Sequence, residues 1–336
     1  MPKRRNPIKD WSQYLLARMA GFALSVGNIN ANLRIMESVG RLGCWLDKRR
    51  RERILANLSH ALPELSLDQH KELATQSFQH FMKLIVELAV TPRVMHADTW
   101  TRHVHFRDMG ESLKWLNAGK PAIVLTGHVG NWEMLGYTNA LMGYPVDALA
   151  RPIDNPLVNQ WVLDVRELRG LRIITKFDAT DRMLNVLSSG GQLGFVADQN
   201  AGKKGIFVPY FNRMASTYKS IGLLAISQDV PIMCGFARRV GTGFHYEIST
   251  VDFIHPHEWK EQSDPLFYVT ARFNRAIETM VRRSPEQYLW MHRRWKTRPR
   301  WEQLSKPMPA SVQAKLEALP WMDQVTLDRL KQPVKV

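Results

Sequence analysis

Cysteine is nearly absent: Cys44 and Cys234 are the only two in 336 residues, far apart and outside any C-x-x-C pair. A disulfide framework is therefore excluded, and a reducing compartment is the simpler setting. Long apolar runs are missing too. No stretch reaches the ~18 uninterrupted apolar residues that a spanning helix needs. The nearest, Tyr14 to Ile29, is broken by Arg18 and weakened by Gly21, Gly27 and Asn28. No clear small-residue cleavage site follows it, so it fits a signal peptide poorly. Nor is there a G-x-S-x-G nucleophile elbow, a G-x-x-x-x-G-K-[ST] phosphate loop, a G-x-G-x-x-G after a strand, or an H-E-x-x-H. Serine-nucleophile, nucleotide-hydrolysing, hydride-transferring and zinc-protease chemistries all lose weight. Internal repeats and low-complexity tracts are absent.

Acidic residues are scarce relative to basic ones: 31 Asp and Glu against 46 Lys and Arg, a net charge of +15. The excess is concentrated. Residues 1–60 hold twelve Lys/Arg against four acids, and residues 280–300 hold seven against Glu286 alone. The middle of the chain is almost neutral. Two cationic segments call for anionic partners: nucleic acid, lipid headgroups or an acidic carrier. The 45% hydrophobic content is that of a folded chain.

The order of elements predicts an α/β fold with a mostly parallel central sheet flanked by helices, preceded by basic amphipathic N-terminal helices. Residues 1–100 read as a basic, largely helical region, 101–302 as the α/β domain, and 303–336 as a Pro-containing, loosely attached helical tail. Segment 11–30, with Trp11, Leu15, Leu16, Met19 and Phe22 on one side, is either an interfacial membrane helix or a core-packing one. A helix is expected from Leu67 to about Val90, stopped by Pro92, and another over 155–169. Ser216 or Thr217 is expected to start a further helix, after an extended piece at Ile206–Phe211.

Three stretches carry the chemistry. In Pro121–Leu135, PAIVLTGHVGNWEML, a buried apolar strand ends at His128, and Asn131 caps a helix whose first turn holds Glu133. The carboxyl rim of such a strand is where open α/β sheets bind ligands. His128 is a candidate general base there, with Glu133 its orienting acid. In Phe195–Lys219, Asp198, Gln199 and Asn200 end a second buried strand. The glycine- and lysine-rich loop that follows, with Gly202 and Lys204, can approach a phosphate. In Pro285–Pro299, PEQYLWMHRRWKTRP, the aromatics Tyr288, Trp290 and Trp295 interleave with Arg293, Arg294, Lys296 and Arg298. That mixture suits either single-stranded nucleic acid or a membrane interface. His103/His105 and His255/His257 are spare histidine pairs, and no metal site is expected from them.

The blocks GHVGNWE, ADQNAGKKGIFVPYF and QYLWMHRRWKTRP, in that order, resemble those of the bacterial lipid A late acyltransferases. These are the lauroyl and myristoyl transferases of the wider lysophospholipid acyltransferase superfamily. The resemblance runs from about Arg50 to Arg300 and is weaker in the Arg-rich N-terminus and the tail. It implies that His128 and Glu133 are the catalytic H-x4-E pair. It also implies that Arg151, before Pro152, and Asp198, Gln199, Asn200 and Gly202 serve the donor or the transition state. The activity implied is transfer of a fatty acyl chain from acyl carrier protein or acyl-CoA to a hydroxyl of a membrane glycolipid, with no resident cofactor. The setting implied is the cytoplasmic face of a bacterial inner membrane. In that setting the third block, and Lys204 by the chemistry of its own loop, are expected contacts to membrane phosphate. The competing class, a basic nucleic-acid-binding α/β protein, would leave the His128 and Asp198 segments idle.

Overall fold

The computed structural model describes residues 6–168, 170–175 and 179–332. Lys3, Arg4 and Arg5 of the basic N-terminus, Arg169 at the end of the expected helix, and Pro333 of the tail lie outside the described residues. Four helices come first: α1 (Pro7–Val26), α2 (Ile29–Leu46), α3 (Lys48–Ala61) and α4 (Leu67–Val94). The α/β portion follows as β1 (Val104–Arg107), α5 (Gly110–Asn117), β2 (Ala122–Thr126), α6 (Trp132–Leu141), β3 (Val146–Leu149) and α7 (Pro156–Glu167). It continues with β4 (Arg172–Ile174), α8 (Ala179–Ser188), β5 (Gln192–Val196), β6 (Ile206–Tyr210), β7 (Arg213–Thr217) and α9 (Lys219–Gln228). Then come β8 (Ile232–Arg239), β9 (Tyr246–Ile254), α10 (Pro256–Lys260) and α11 (Pro265–Arg283), and the tail forms α12 (Arg300–Gln303), α13 (Ala310–Glu317) and α14 (Gln324–Lys331).

Seven strands form one sheet in the order β1-β9-β8-β2-β5-β3-β4, with β6 and β7 a separate hairpin. Pairing is parallel everywhere in the sheet except between β8 and β9. The α/β architecture expected from the sequence is the one observed. β2 lies at the centre, flanked by β5 and β8, and all five of its residues are buried. That is why it reads as an unbroken apolar run. Core side chains pack on both faces of the sheet, Ile123 and Leu125 on one and Ala122 and Val124 on the other.

Several elements differ from the sequence expectation. The segment 11–30 is not one helix, because Gly27 breaks the chain and Asn28 caps α2, accepting from Ala31 N at 3.1 Å. α4 runs through Pro92 to Val94. The hydroxyl of Thr91 accompanies that passage, donating to the Glu87 carbonyl at 2.6 Å. Ser216 and Thr217 end strand β7 rather than start a helix, since β7 pairs in register with β6. The tail is packed: Leu316, Leu319, Leu327 and Leu330 are buried in the main core, and Trp321 stacks near Tyr268. α2 crosses α4 at Gly40, where a Cβ would come within 2.5 Å of the Gln79 backbone.

α1 has no buried residue. Its apolar side chains stand in solvent, Leu16 at 67%, Met19 at 69% and Phe22 at 72% exposed, and Trp45 at the end of α2 is 71% exposed. No helix among the described residues is long and apolar enough to cross a membrane.

Candidate active site

β2 and β5 are neighbours in parallel register, with Thr126 beside Val196. Residues two beyond each strand therefore leave the same edge of the sheet side by side. On that edge the His128 Nδ1–H donates to Asp198 Oδ1 at 2.6 Å. The Asp198 side chain is wholly buried, whereas that of His128 keeps 17% exposure. Burial pushes the Asp198 carboxyl up. The attraction and hydrogen bond of His128 outweigh that and hold it well below the ordinary carboxylate range. The carboxylate fixes the ring tautomer and leaves Nε2 facing outward, where the Gln199 side-chain amide lies 3.5 Å away.

The loop carrying His128 is held by its backbone. Leu289 N–H donates to the His128 carbonyl at 3.1 Å, Gly130 N–H to the Gln287 carbonyl at 2.9 Å, and Asn131 N–H to the Ala237 carbonyl at 2.7 Å. His80 Nε2 bonds the Gly130 carbonyl at 3.1 Å. Gly130 has φ +61°, and a Cβ there would sit 2.1 Å from the Ala237 oxygen, so no other residue fits. Asn131 caps α6 and also donates to the buried Glu87, which accepts in turn from Arg239 at 2.6 Å. The Gly130 N–H is thus committed to the Gln287 carbonyl and does not point at a ligand.

Glu133 does not orient His128. Its carboxylate turns to the flank of α7 and takes both arms of Arg166, at 2.9 and 2.5 Å, with the indole N–H of Trp132 at 3.2 Å. The role assigned to it from sequence belongs geometrically to Asp198. Here the Glu133 side chain leaves the first turn of α6 towards α7, whereas Asp198, two residues past the neighbouring strand, faces His128 directly. Arg151 sits on the loop between β3 and α7, its side chain 80% exposed and ion-paired to Asp154 at 3.9 Å. No hydrogen bond or ion pair among the described residues joins it to His128 or Asp198. Asn155, at the end of that loop, donates to the Asp10 carbonyl of α1 at 2.9 Å. This ties the end of the loop that carries Arg151 to α1.

Asn200 clamps the third block by donating to the Thr297 hydroxyl at 3.0 Å and accepting from Thr297 N–H at 3.3 Å. Gly202 adopts φ +71°, and its carbonyl accepts from the Ser216 hydroxyl at 2.6 Å. Lys204, Arg293 and Lys296 are exposed. The rest of the third block is not a membrane or nucleic-acid surface. Tyr288, Trp290, Arg294 and Trp295 are buried: Trp295 tilts against Tyr210, Trp290 against Phe211, Arg294 lies over the Tyr210 ring, and the Tyr210 hydroxyl donates to that of Tyr288. Arg294 donates to the Ser216 carbonyl at 2.6 Å, the Thr217 hydroxyl at 2.7 Å and the Asn274 side chain at 3.1 Å. Arg298 is internally paired with Glu302 at 2.5 Å and donates to the Met214 carbonyl at 2.6 Å. Alternating aromatic and basic residues satisfy a folded interior here, because each Arg finds backbone and side-chain acceptors.

The block also supplies a residue the sequence reading passed over. The His292 ring lies edge-on to His128 with centroids 4.6 Å apart. Burial and the charge of His128 push it down to about 4. Its only sequence signal was its place among the arginines of the third block.

On the other side, Trp132 packs on His128, centroids 4.8 Å apart, and leads into a cleft. The cleft is walled by Phe81, Leu84, Ile85 and Leu88 of α4 with Tyr137 and Leu171, and the Glu133–Arg166 pair lies in its wall. A histidine-bearing rim of an open sheet beside an apolar cleft is where α/β proteins bind ligands. The family model for bacterial lipid A biosynthesis acyltransferases matches residues 4–297. The chain belongs to that family and is an acyltransferase.

Among curated relatives, the lipid A biosynthesis lauroyltransferase of Escherichia coli (strain K12) is 28% identical over 277 residues, 77% of this chain and 85% of the relative. The palmitoleoyltransferase of the same organism is 25% identical over 257 residues, covering 75% and 80%. Its myristoyltransferase is 24% identical over 307 residues, covering 88% and 89%.

Proposed function

We propose that the protein moves a fatty acyl chain from a thioester donor, acyl carrier protein or acyl-CoA, to a hydroxyl of a lipid A precursor-like glycolipid. It works at the cytoplasmic face of the inner membrane, with His128 as general base. The observation that carries this reading is the 2.6 Å bond from His128 Nδ1 to the buried Asp198, which leaves the Nε2 lone pair, met by the Gln199 amide at 3.5 Å, as the proton acceptor. In the reaction the acceptor hydroxyl attacks the thioester carbonyl while Nε2 takes its proton. The tetrahedral intermediate then collapses, the C–S bond breaks, and the imidazolium returns the proton to the departing thiolate. Asp198 stabilises the imidazolium, as the acid does in a Ser-His-Asp triad, but no enzyme nucleophile is needed. The side-chain amide of Gln199 is the candidate oxyanion donor. The test is an assay of the purified protein with acyl carrier protein and CoA thioesters and a lipid A precursor. Product lacking the added acyl mass under all these conditions would reject the reading.

The cleft beside Trp132 is where the acyl tail is expected to lie, since apolar side chains make up most of its wall. Leu84→Trp narrows it. One methylene in a fitted pocket changes discrimination by about 10–200-fold. The variant is therefore expected to shift preference towards shorter acyl donors by at least about tenfold in relative kcat/KM. An unchanged chain-length profile would move the tail elsewhere.

The apolar face of α1, with the basic residues of the N-terminal helices, gives a peripheral attachment to anionic lipid. Binding to vesicles containing anionic lipid is expected to weaken with salt. The triple change Leu16→Gln, Met19→Gln and Phe22→Gln should reduce it at least about tenfold, each side chain losing a membrane burial of about 1.5–3 kcal/mol. Flotation of vesicles with bound protein measures this, and equal recovery of variant and wild type would refute the attachment face.

A further inference from the structure

The rim holds a second chemistry that acyl transfer does not use. His128, Asp198 and His292 each bring one ligand atom to within 4.8 Å of the others. Two imidazoles and a carboxylate are a zinc donor set. Two further observations point inward. Asp198 Oδ2 and His292 Nδ1 are buried, and among the described residues neither has a hydrogen-bond partner. Buried polar atoms of this kind need a partner, either ordered water or an ion. Asp198 is itself 0% exposed and meets His128 through the Oδ1 bond to the ring and a backbone hydrogen bond.

The geometry points to an inhibitory site for a divalent transition-metal ion, Zn2+ first, formed by His128, Asp198 and His292. Bonds of about 2.0–2.2 Å require the ligand atoms to draw together from their present spacing. Zinc has no geometric preference from its d electrons, so it tolerates the distorted set that a small closure would produce. Magnesium and calcium, which prefer several oxygen ligands, do not match two imidazoles. Bound zinc stops transfer whichever His128 nitrogen it takes. On Nε2 it occupies the basic lone pair, and on Nδ1 it displaces the proton that is donated to Asp198. The inhibitory consequence rests on His128 being the base, whereas the metal site itself does not.

The binding test therefore uses no acyl substrate. Full-length protein stripped with chelator is titrated with ZnCl2 against a chromophoric competitor, and with CoCl2 by visible absorption. One tightly bound ion per chain and a four-coordinate cobalt spectrum are expected. His292→Gln should weaken binding at least about tenfold, in line with lost coordination support at metal sites. The double change His255→Ala and His257→Ala, at the stacked histidine pair elsewhere on the surface, should leave it unaltered. In wild-type protein, zinc should also shield His128 and His292 from diethylpyrocarbonate, read by peptide mass mapping. That readout needs no variant to fold. Absence of stoichiometric binding, binding lost with the His255/His257 pair, or unshielded His128 and His292 would each overturn the site. If zinc binds as described but acyl transfer continues at saturation, the metal site stands and the His128 mechanism falls.

Discussion

His128→Gln is expected to lower acyl transfer by about 10²–10⁴-fold, the usual yield of a positioned general base. Glutamine is the informative replacement because its amide can still donate to Asp198. Alanine would leave a fully buried carboxylate without its partner, which costs about 3–5 kcal/mol and confuses catalysis with stability. The loop itself does not depend on the imidazole: its hydrogen bonds to Leu289, Gln287 and Ala237 all run through backbone atoms of residues 128–131. Folding should therefore survive, as thermal unfolding would show. Donor KM should change little, since Nε2 acts on the acceptor proton. A variant that keeps half the wild-type rate would remove His128 from the mechanism.

Asp198→Asn is expected to cost about as much, by a different route. The corresponding change in a Ser-His-Asp triad lowers kcat about 10⁴-fold with geometry intact, because the imidazole is left in the wrong tautomer. Here an asparagine amide facing Nδ1 would favour the tautomer with its proton on Nε2, and that nitrogen could no longer accept one. A loss of about 10³-fold or more is expected, with the glycolipid still bound. Glu133→Gln, measured in parallel, separates the two carboxylates. Glu133 bonds Arg166 in the cleft wall rather than His128, so its effect should be the smaller one. The opposite ranking would return the orienting role to Glu133.

These two expectations rest on a contact the sequence does not display. Ala122–Thr126 announces itself as a buried strand, and Asn131 as a helix cap, so the position of His128 at a sheet rim is readable locally. Its partner is 70 residues away, and which strand lies beside β2 is a matter of topology that no local pattern encodes. The H-x4-E spacing offered a nearer acid, but the side chain of Glu133 leaves the loop towards α7.

The third block shows the same limit from the other direction. Its composition is that of an interface, yet Trp290 and Arg294 are each 1% exposed. Whether a Trp-Arg segment meets lipid or core depends on what the fold supplies as acceptors. Here Ser216, Thr217 and Asn274 supply them. In α1 the reverse holds: Leu15, Leu16, Met19 and Phe22 stay exposed although the helix lies against α4 and α7.

The most direct test of the central claim is mass spectrometry of the membrane glycolipids of a strain that lacks this protein. The account predicts a lipid A-type species lighter by one fatty acyl chain, restored by the wild-type gene and not by His128→Gln or Asp198→Asn expressed to equal level. An unchanged lipid profile, or full restoration by His128→Gln, would contradict it.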